Sequence, residues 1–285
     1  MASERGATLE VDGLSFAYDG REALGGVGLR VGPGEIVGLV GPNGSGKSTI
    51  IKVLSGVLGG YGGRVLVDGR ELGDFSGREL ARELAVVPQE PVFSFPFTSL
   101  EIVLMGRHPH LAGLAFETPR DVELARAALA RCGALDLAPR PIQELSSGER
   151  QRVVFAKALA QEPRALLLDE PASFLDIRHQ VELYDIVADL AHSAGVAVLA
   201  VLHDLNVAAE YCDRVYLLSR GRIEAEGPTA EVLTYGNLKR VFETEVYVDI
   251  NSLTGKLLVV PLSGRVRPGG RRRPGRGSGK GGSAS

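Results

Sequence analysis

Cysteine is scarce in this 285-residue chain: Cys132 and Cys212 lie far apart, with no second pair to complete a metal-binding or redox motif. A disulfide framework is thereby excluded, a reducing compartment is the natural setting, and both thiols read as small core residues. Long hydrophobic runs are also missing. The longest unbroken aliphatic stretch, 196–202, falls far short of the roughly 20 apolar residues that a membrane-spanning helix needs. The first residues, Met1-Ala2-Ser3-Glu4-Arg5-Gly6, show no apolar stretch behind a basic start, so no secretory leader is expected. No internal repeat is visible. What remains, 44% hydrophobic and 24% charged residues, is the composition of an ordinary globular chain, long enough for a sizeable core.

The formal net charge of -3 averages two unlike regions. Residues 265–285 contain seven Lys or Arg, seven Gly, two Pro and no acid, whereas 1–264 hold 25 basic against 35 acidic residues, a net charge of -10. A segment so poor in apolar groups cannot offset its ordering entropy, and 265–285 is expected to be a disordered, solvated basic tail. Near an anionic membrane surface its charges could add attraction, but solvation alone accounts for such a composition.

Upstream of the tail, strand and helix patterns alternate, which predicts an α/β fold with a largely parallel sheet. Nearly continuous apolar runs at 36–40, 85–87, 165–168, 196–202 and 215–218 are candidate core strands. Leu14, Phe16 and Tyr18 alternate with smaller or polar residues, as do Val65 and Val67 before Asp68-Gly69, predicting a separate antiparallel sheet near the N-terminus. Residues 98–161 carry no good strand. They do carry Thr118-Pro119-Arg120-Asp121, a helix start followed by Val122, Ala125 and Leu129 at helical spacing, and so read as an all-helical insertion. The strongest helix is 177–193, with Leu183, Ile186, Val187, Leu190 and Ala191 on one stripe and Gly195 able to cap it.

The chemistry concentrates after the first core strand. Gly41-Pro42-Asn43-Gly44-Ser45-Gly46-Lys47-Ser48, followed by Thr49, fits G-x-x-x-x-G-K-[ST] between a strand and an apolar helical segment. Glycines let backbone N–H groups turn inward around a phosphate, and the helix N-terminus adds positive partial charge. Lys47 suits the β and γ phosphates, and the Ser48 hydroxyl suits Mg²⁺. The next requirement is a carboxylate at a neighbouring strand end. Asp169, where the run 165–168 stops, suits the metal, and Glu170 suits polarising a water for attack on the γ-phosphate. Gln89 and His203 also follow candidate strands, so four strand ends share one carboxyl edge, where open α/β sheets bind ligands. Alone, either would read as a satisfied turn residue. Leu145-Ser146-Ser147-Gly148-Glu149 contains a capping box, Ser146-x-x-Glu149, and its helix N-terminus with Ser147 and the Gly148 N–H is a second phosphate-binding element.

Taken in order and spacing, the phosphate loop, Leu-Ser-Ser-Gly-Glu, Leu-Leu-Leu-Asp-Glu-Pro and Leu-His-Asp make residues 8–262 resemble the nucleotide-binding subunits of ABC transporters. The resemblance implies a RecA-like P-loop NTPase core with an N-terminal antiparallel β-subdomain, an inserted helical subdomain at about 98–161 and a C-terminal extension at about 226–264, together one cassette over 1–264. It implies that Tyr18 stacks on adenine, that Gln89 contacts metal and attacking water, that Asp176 crosses a dimer interface and that His203 bonds the γ-phosphate. Tyr18, in phase with Leu14 and Phe16, also reads as half-buried strand core. With one P-loop and one signature per chain, the resemblance implies a head-to-tail homodimer with two ATP molecules at its interface.

Transport then falls to separate transmembrane permease subunits, with a substrate-binding protein acting indirectly and the chain peripheral on the cytoplasmic face of the inner (plasma) membrane. No nucleic-acid partner is expected. Phe93, Phe95 and Phe97, after Gln89 and between two prolines, are candidates for the permease-docking surface or for packing of the insertion. Leu104-Met105-Gly106-Arg107-His108-Pro109, the Ser173 to Gln180 segment and His203-Asp204-Leu205-Asn206 resemble the branch that imports iron-siderophore, haem or cobalamin. His108 and His110 lack further ligands at sensible spacing and read as loop residues. Ala172 and Ser147 stand where many members have Thr and Gly. A soluble ABC-type ATPase in cofactor assembly, repair or translation is the alternative, but neither a second cassette nor a long coiled-coil insertion is present. A P-loop GTPase would need an Asn-Lys-x-Asp motif, which is absent.

Overall fold

A computed structural model describes residues 6–111 and 116–263; the basic segment 265–285 lies outside the described residues. The N-terminal strands form as the alternation predicts. β1 (Leu9–Tyr18) and β2 (Arg21–Val31) join through Asp19 and Gly20, both at positive φ, a two-residue turn whose twist suits antiparallel strands. After β3 (Ile36–Val40) and helix α1 (Lys47–Leu54), β4 (Gly62–Val67) turns through Asp68-Gly69 into the two-residue β5 (Arg70–Glu71). One antiparallel sheet results, in the order β2-β1-β4-β5.

Helix α2 (Gly77–Glu83) leads to β6 (Leu84–Val87), and between it and β7 (Ala165–Asp169) the described chain forms helices and no strand. These are α3 (Ser99–Leu104), α4 (Pro119–Arg131) and α5 (Ser147–Ala160). Each starts with a reciprocal capping box: Thr98 with Glu101, Thr118 with Asp121, Ser146 with Glu149. The chain continues through α6 (Ile177–Ala188), β8 (Ala197–Val201), α7 (Leu205–Tyr211), β9 (Arg214–Ser219) and β10 (Arg222–Pro228). It ends with α8 (Thr229–Val232), α9 (Tyr235–Phe242) and the hairpin β11 (Val246–Ile250) with β12 (Leu257–Pro261). The helix expected over 177–193 is α only to Ala188. Its last turn widens to π geometry over Asp189–Ser193, with the Ala194 N–H donating to Asp189 O, before Gly195 turns the chain at φ +77°.

The second sheet runs β10-β9-β3-β8-β7-β6, with the five strands from β9 to β6 parallel and β10 antiparallel at the edge. Because side chains alternate along a strand, this sheet feeds two cores. Val37, Leu39, Leu167 and Leu199 join α1 and the antiparallel sheet on one face, while Ile36, Val40, Leu168 and Val198 join α5, α6 and the other helices on the opposite face. With both faces covered, β3, β7 and β8 are buried throughout.

One ion pair stands apart. Arg107 donates through Nε to Asp121 Oδ1 at 3.1 Å and through Nη1 to Ala160 O at 2.6 Å and Glu162 Oε2 at 2.7 Å, tying the start of α4 to the end of α5. The Arg107 and Asp121 side chains are only 7% and 10% exposed, and every other described pair has at least one partner more open to water. Surface pairs contribute about 0–1 kcal/mol each, whereas removing one partner of a buried pair costs about 3–5 kcal/mol. Asp121→Ala should therefore lower the unfolding free energy by about 3 kcal/mol, the low end because Glu162 still meets Arg107. Urea titration checks this, with the exposed Glu123→Ala as a near-silent control. Hydrogen bonds from the Thr118 hydroxyl and backbone N–H, then Arg107, hold the Asp121 carboxyl down at about 2. Its contribution is complete above the ordinary carboxylate value and fades as pH falls toward 2, so the difference between variant and wild type should shrink in acid.

Candidate active site

The site begins where β3 ends. Gly41 has φ +156°, and a Cβ there would come within 2.0 Å of Leu218 O on β9, so no other residue fits this crossing. Gly44 and Gly46 also take positive φ, and Gly46 caps α1 in a left-handed conformation without a side-chain hydrogen bond. The first N–H groups of α1 therefore have no side-chain cap and face the loop as donors. Lys47 Nζ bridges the loop, donating to Gly41 O at 2.8 Å and Pro42 O at 3.0 Å. Ser45 Oγ is buried and has no hydrogen-bond partner. A glycine cradle, an uncapped helix N-terminus, an ammonium and an orphan hydroxyl suit a phosphate group.

β7 supplies the acids. Ser48 Oγ donates to Asp169 Oδ1 at 3.2 Å, joining the end of the loop to the strand end. Burial pushes the Asp169 carboxyl up, the Ser48 hydrogen bond opposes this, and the charge of Glu170 adds to it. Burial also pulls Lys47 down, against the pull of Glu170 and Asp169. A hydroxyl and a carboxylate side by side, both oxygen donors, suit a hard divalent cation. A raised carboxyl pKa means that the fold prefers the protonated form, so stability is lost as pH rises through the ordinary carboxylate value. Asp169→Asn should thus melt at or above the wild-type temperature near neutral pH, with the difference closing below about pH 4. Melting curves with and without Mg²⁺ and nucleotide check this; the variant should lose the Mg²⁺-dependent part of nucleotide stabilisation.

Glu170 is the hub. Its backbone sits at φ +50°, an uncommon conformation for a residue with a side chain, held by its N–H donating to Val201 O at 3.2 Å. That geometry aims a nearly buried carboxylate at three neighbours. Gln89 Nε2 donates to Oε2 at 2.6 Å, Ser173 Oγ donates to Oε2 at 3.2 Å, and His203 Nε2 meets Oε1. The four strand ends do converge, because β3, β8, β7 and β6 are consecutive neighbours in the sheet.

In front of them lies a cleft of about 860 Å³, lined by Asn43 to Thr49 with Tyr18, Gln89, Glu170 and His203. Tyr18 is 43% exposed and packs edge-on against Phe16 at 4.9 Å, so it is both strand residue and cleft wall. Ser147, Gly148 and Asp176 do not line this cleft. Ser147 and Gly148 open α5 against the segment after Glu170, where a Gly148 Cβ would sit 3.0 Å from Phe174 O. Asp176 caps α6, accepting from the His179 backbone N–H at 2.9 Å.

A family model described as ABC transporter matches residues 24–173, more than half of the chain. The chain belongs to the ABC transporter family. Its fold is that of the P-loop ABC ATPases. It superposes with a TM-score of 0.78, at 29% identity, on a chain from a structure of an ABC transporter in an inward-facing conformation, covering 90% of this chain and 98% of that one. It is 41% identical over 258 residues to the cobalamin import ATP-binding protein BtuD of Halobacterium salinarum, covering 90% of this chain but only 64% of that protein. It is 44% identical to the hemin import ATP-binding protein HmuV of Pseudomonas putida, covering 88% of this chain and 99% of that protein.

Several residues of this ABC transporter cassette escaped the sequence reading. Arg220 and Gly221, the turn between β9 and β10, line the cleft and brace the loop, with the Gly221 N–H donating to Ser45 O at 2.9 Å. A Cβ on Gly221 would lie 2.5 Å from Ala23 O. The pair Arg-Gly after the run 215–218 was the available signal for a tight hairpin. Arg21 and Glu22, at the turn beside Tyr18, also line the cleft, and Ser173 is the unforeseen third partner of Glu170.

Proposed function

We propose that this chain is the ATP-hydrolysing subunit of an ABC importer for haem, cobalamin or a related metal chelate. The observation that carries the hydrolytic reading is Glu170, fixed at the end of β7 between Gln89 and His203 and sharing one cleft with Lys47 and Ser48. The names of the relatives BtuD and HmuV support the cargo class.

In this reading the N–H groups of Gly44 to Ser48 and the Lys47 ammonium bind the phosphates, and Tyr18 offers its ring to the base. Ser48, Asp169 and Gln89 would hold Mg²⁺, which when bound offsets phosphate charge. Glu170 orients the attacking water and takes its proton, Gln89 and Ser173 hold the carboxylate, and His203 stands ready to bond the γ-phosphate. Ser147 and Gly148 lie outside their own chain's cleft, so they serve a second copy. Two chains meet head to tail, each offering the N-terminus of α5 to the other's ATP, and Asp176 lies at that interface.

No helix of the described residues is long and apolar enough to cross a membrane. In this reading, which rests on the relatives named as import ATP-binding proteins, translocation belongs to separate permease subunits, with the cassette peripheral on the cytoplasmic face and a substrate-binding protein delivering cargo. Of the three candidate phenylalanines, Phe93 packs against the helix-side core, while Phe95 and Phe97, with the neighbouring Val92, supply a permease contact, Phe95 being 64% exposed and stacked edge-on with Phe97 at 6.0 Å. Phe95→Ala with Phe97→Ala should abolish co-purification with the permease while leaving the ATPase rate of the isolated chain within about twofold of wild type. The function itself is tested by reconstituting chain and permease and asking which cargo-loaded binding protein stimulates ATP hydrolysis; stimulation only by an amino-acid or sugar binding protein would reject the metal-chelate class.

A further inference from the structure

The C-terminal hairpin reaches toward the catalytic edge through one side chain. Asn206, in the first turn of α7, donates from Nδ2 to Val259 O at 3.2 Å and accepts at Oδ1 from the Val259 N–H at 2.8 Å. Both backbone groups of Val259 thus face α7, and the Asn206 amide takes the place a further strand would occupy along the free edge of β12. β12 pairs with β11 on its other side, Val259 opposite Val248. The contact is not a surface accident. Val259 is buried in the helix-side core, where Val246 is also buried and Val248, Leu257, Leu205 and Val207 pack against the cluster.

His203 lies three residues before Asn206. Between them Asp204 caps α7 by accepting from the Asn206 N–H at 2.8 Å, so one side chain and one backbone group of Asn206 hold both ends of this short segment. At its far end α7 is tied by Tyr211, whose hydroxyl donates to Asp185 Oδ1 on α6. Beside the apolar packing of Leu205 and Val207, the Asn206–Val259 pair ties the first turn of α7 to β12 by side-chain hydrogen bonds. A helix of seven residues has little stability of its own, and a two-stranded hairpin has little either, so each depends on the core it packs into, and part of that packing is with the other.

We propose that Asn206 is a positioning residue for His203, and that the hairpin β11–β12 sets through it how His203 meets Glu170. This rests on the ATPase reading above, but the latch itself is a property of the fold and has its own readout. Displacing a reacting group by a fraction of an ångström lowers turnover without touching the parts of the site that bind the phosphates. Asn206→Ala in the full chain should therefore lower kcat about tenfold, with the ATP KM within about twofold of wild type. Asn206→Asp keeps the acceptor for the Val259 N–H but sets a carboxylate against Val259 O, and kcat should fall there too. Leu258→Ala, on the outer face of the same strand, should keep wild-type kcat.

Hydrogen exchange without nucleotide should be about tenfold faster at the amides of 203–208 in Asn206→Ala. Exchange there unchanged, kcat within twofold of wild type in both Asn206 variants, or an equal loss in Leu258→Ala would overturn the proposal. A wild-type chain that does not hydrolyse ATP would instead refute the ATPase reading, and the exchange measurement would still decide the latch.

Discussion

Glu170→Gln should bind ATP as tightly as wild type and hydrolyse it at least about a hundredfold more slowly, since it removes the one carboxylate placed to take a proton from water. The substitution is nearly isosteric, and the surroundings can absorb it. Glu170 accepts from Gln89 Nε2, from Ser173 Oγ and from His203 Nε2. A glutamine keeps one acceptor oxygen for Gln89, and its new NH₂ can donate to His203 in the other imidazole tautomer. The φ of +50° at this position is no harder for Gln than for Glu, so folding should be unaffected. Binding survives while chemistry stops, and the ATP-loaded variant should accumulate as a dimer by light scattering. Unchanged turnover would remove Glu170 from the mechanism; a fast variant with weak ATP binding would make it a binding residue.

Lys47→Ala should weaken ATP binding by about two orders of magnitude, about 3 kcal/mol, with turnover falling in step at low ATP. Lys47 is nearly buried, and its ammonium is the loop's only cation, braced on Gly41 O and Pro42 O. Its loss removes a charge-assisted contact to phosphate and the cation that offsets Asp169 and Glu170 from within the loop, so their repulsion of the incoming anion grows. Stability should change little. Two hydrogen bonds contributing about 1 kcal/mol each disappear, but so does the cost of burying the ammonium that lowers its pKa. Titration of a fluorescent ATP analogue, alongside a melting curve, separates the two effects.

The strands of the main sheet were legible because both faces are covered, which turns each strand into a short apolar run; the runs at 36–40 and 165–168 end where β3 and β7 end, within a residue. The helix starts at Thr118 and Ser146 were legible from their capping residues, whereas the capping boxes Ser76 with Glu79 and Thr98 with Glu101 open helices that the sequence reading did not single out. What escaped was whatever depends on order in space. The sheet places β9 beside β3, bringing Arg220 and Gly221 to a phosphate loop nearly 180 residues earlier in sequence. Arg107 meets Asp121 and Glu162 through folding alone. The π turn at Asp189–Ser193 leaves the helical apolar stripe unchanged in sequence. The latch from Asn206 to Val259 joins two backbone groups and so has no side-chain signature on β12.

In the proposed dimer each ATP site is built from the P-loop of one chain and the signature of another. Mixing two defective variants distinguishes this arrangement from one in which each chain works alone. Lys47→Ala spoils the loop and Ser147→Arg spoils the exposed signature, so each variant alone forms a dimer with two broken sites. In a mixed dimer one site inherits both defects and the other inherits neither. An equimolar mixture should recover about a quarter of the wild-type ATPase rate, from half of the dimers being mixed with one intact site each. A mixture that shows only the average of the two separate rates would mean that each chain hydrolyses ATP within its own cleft, and the two-chain site would be wrong.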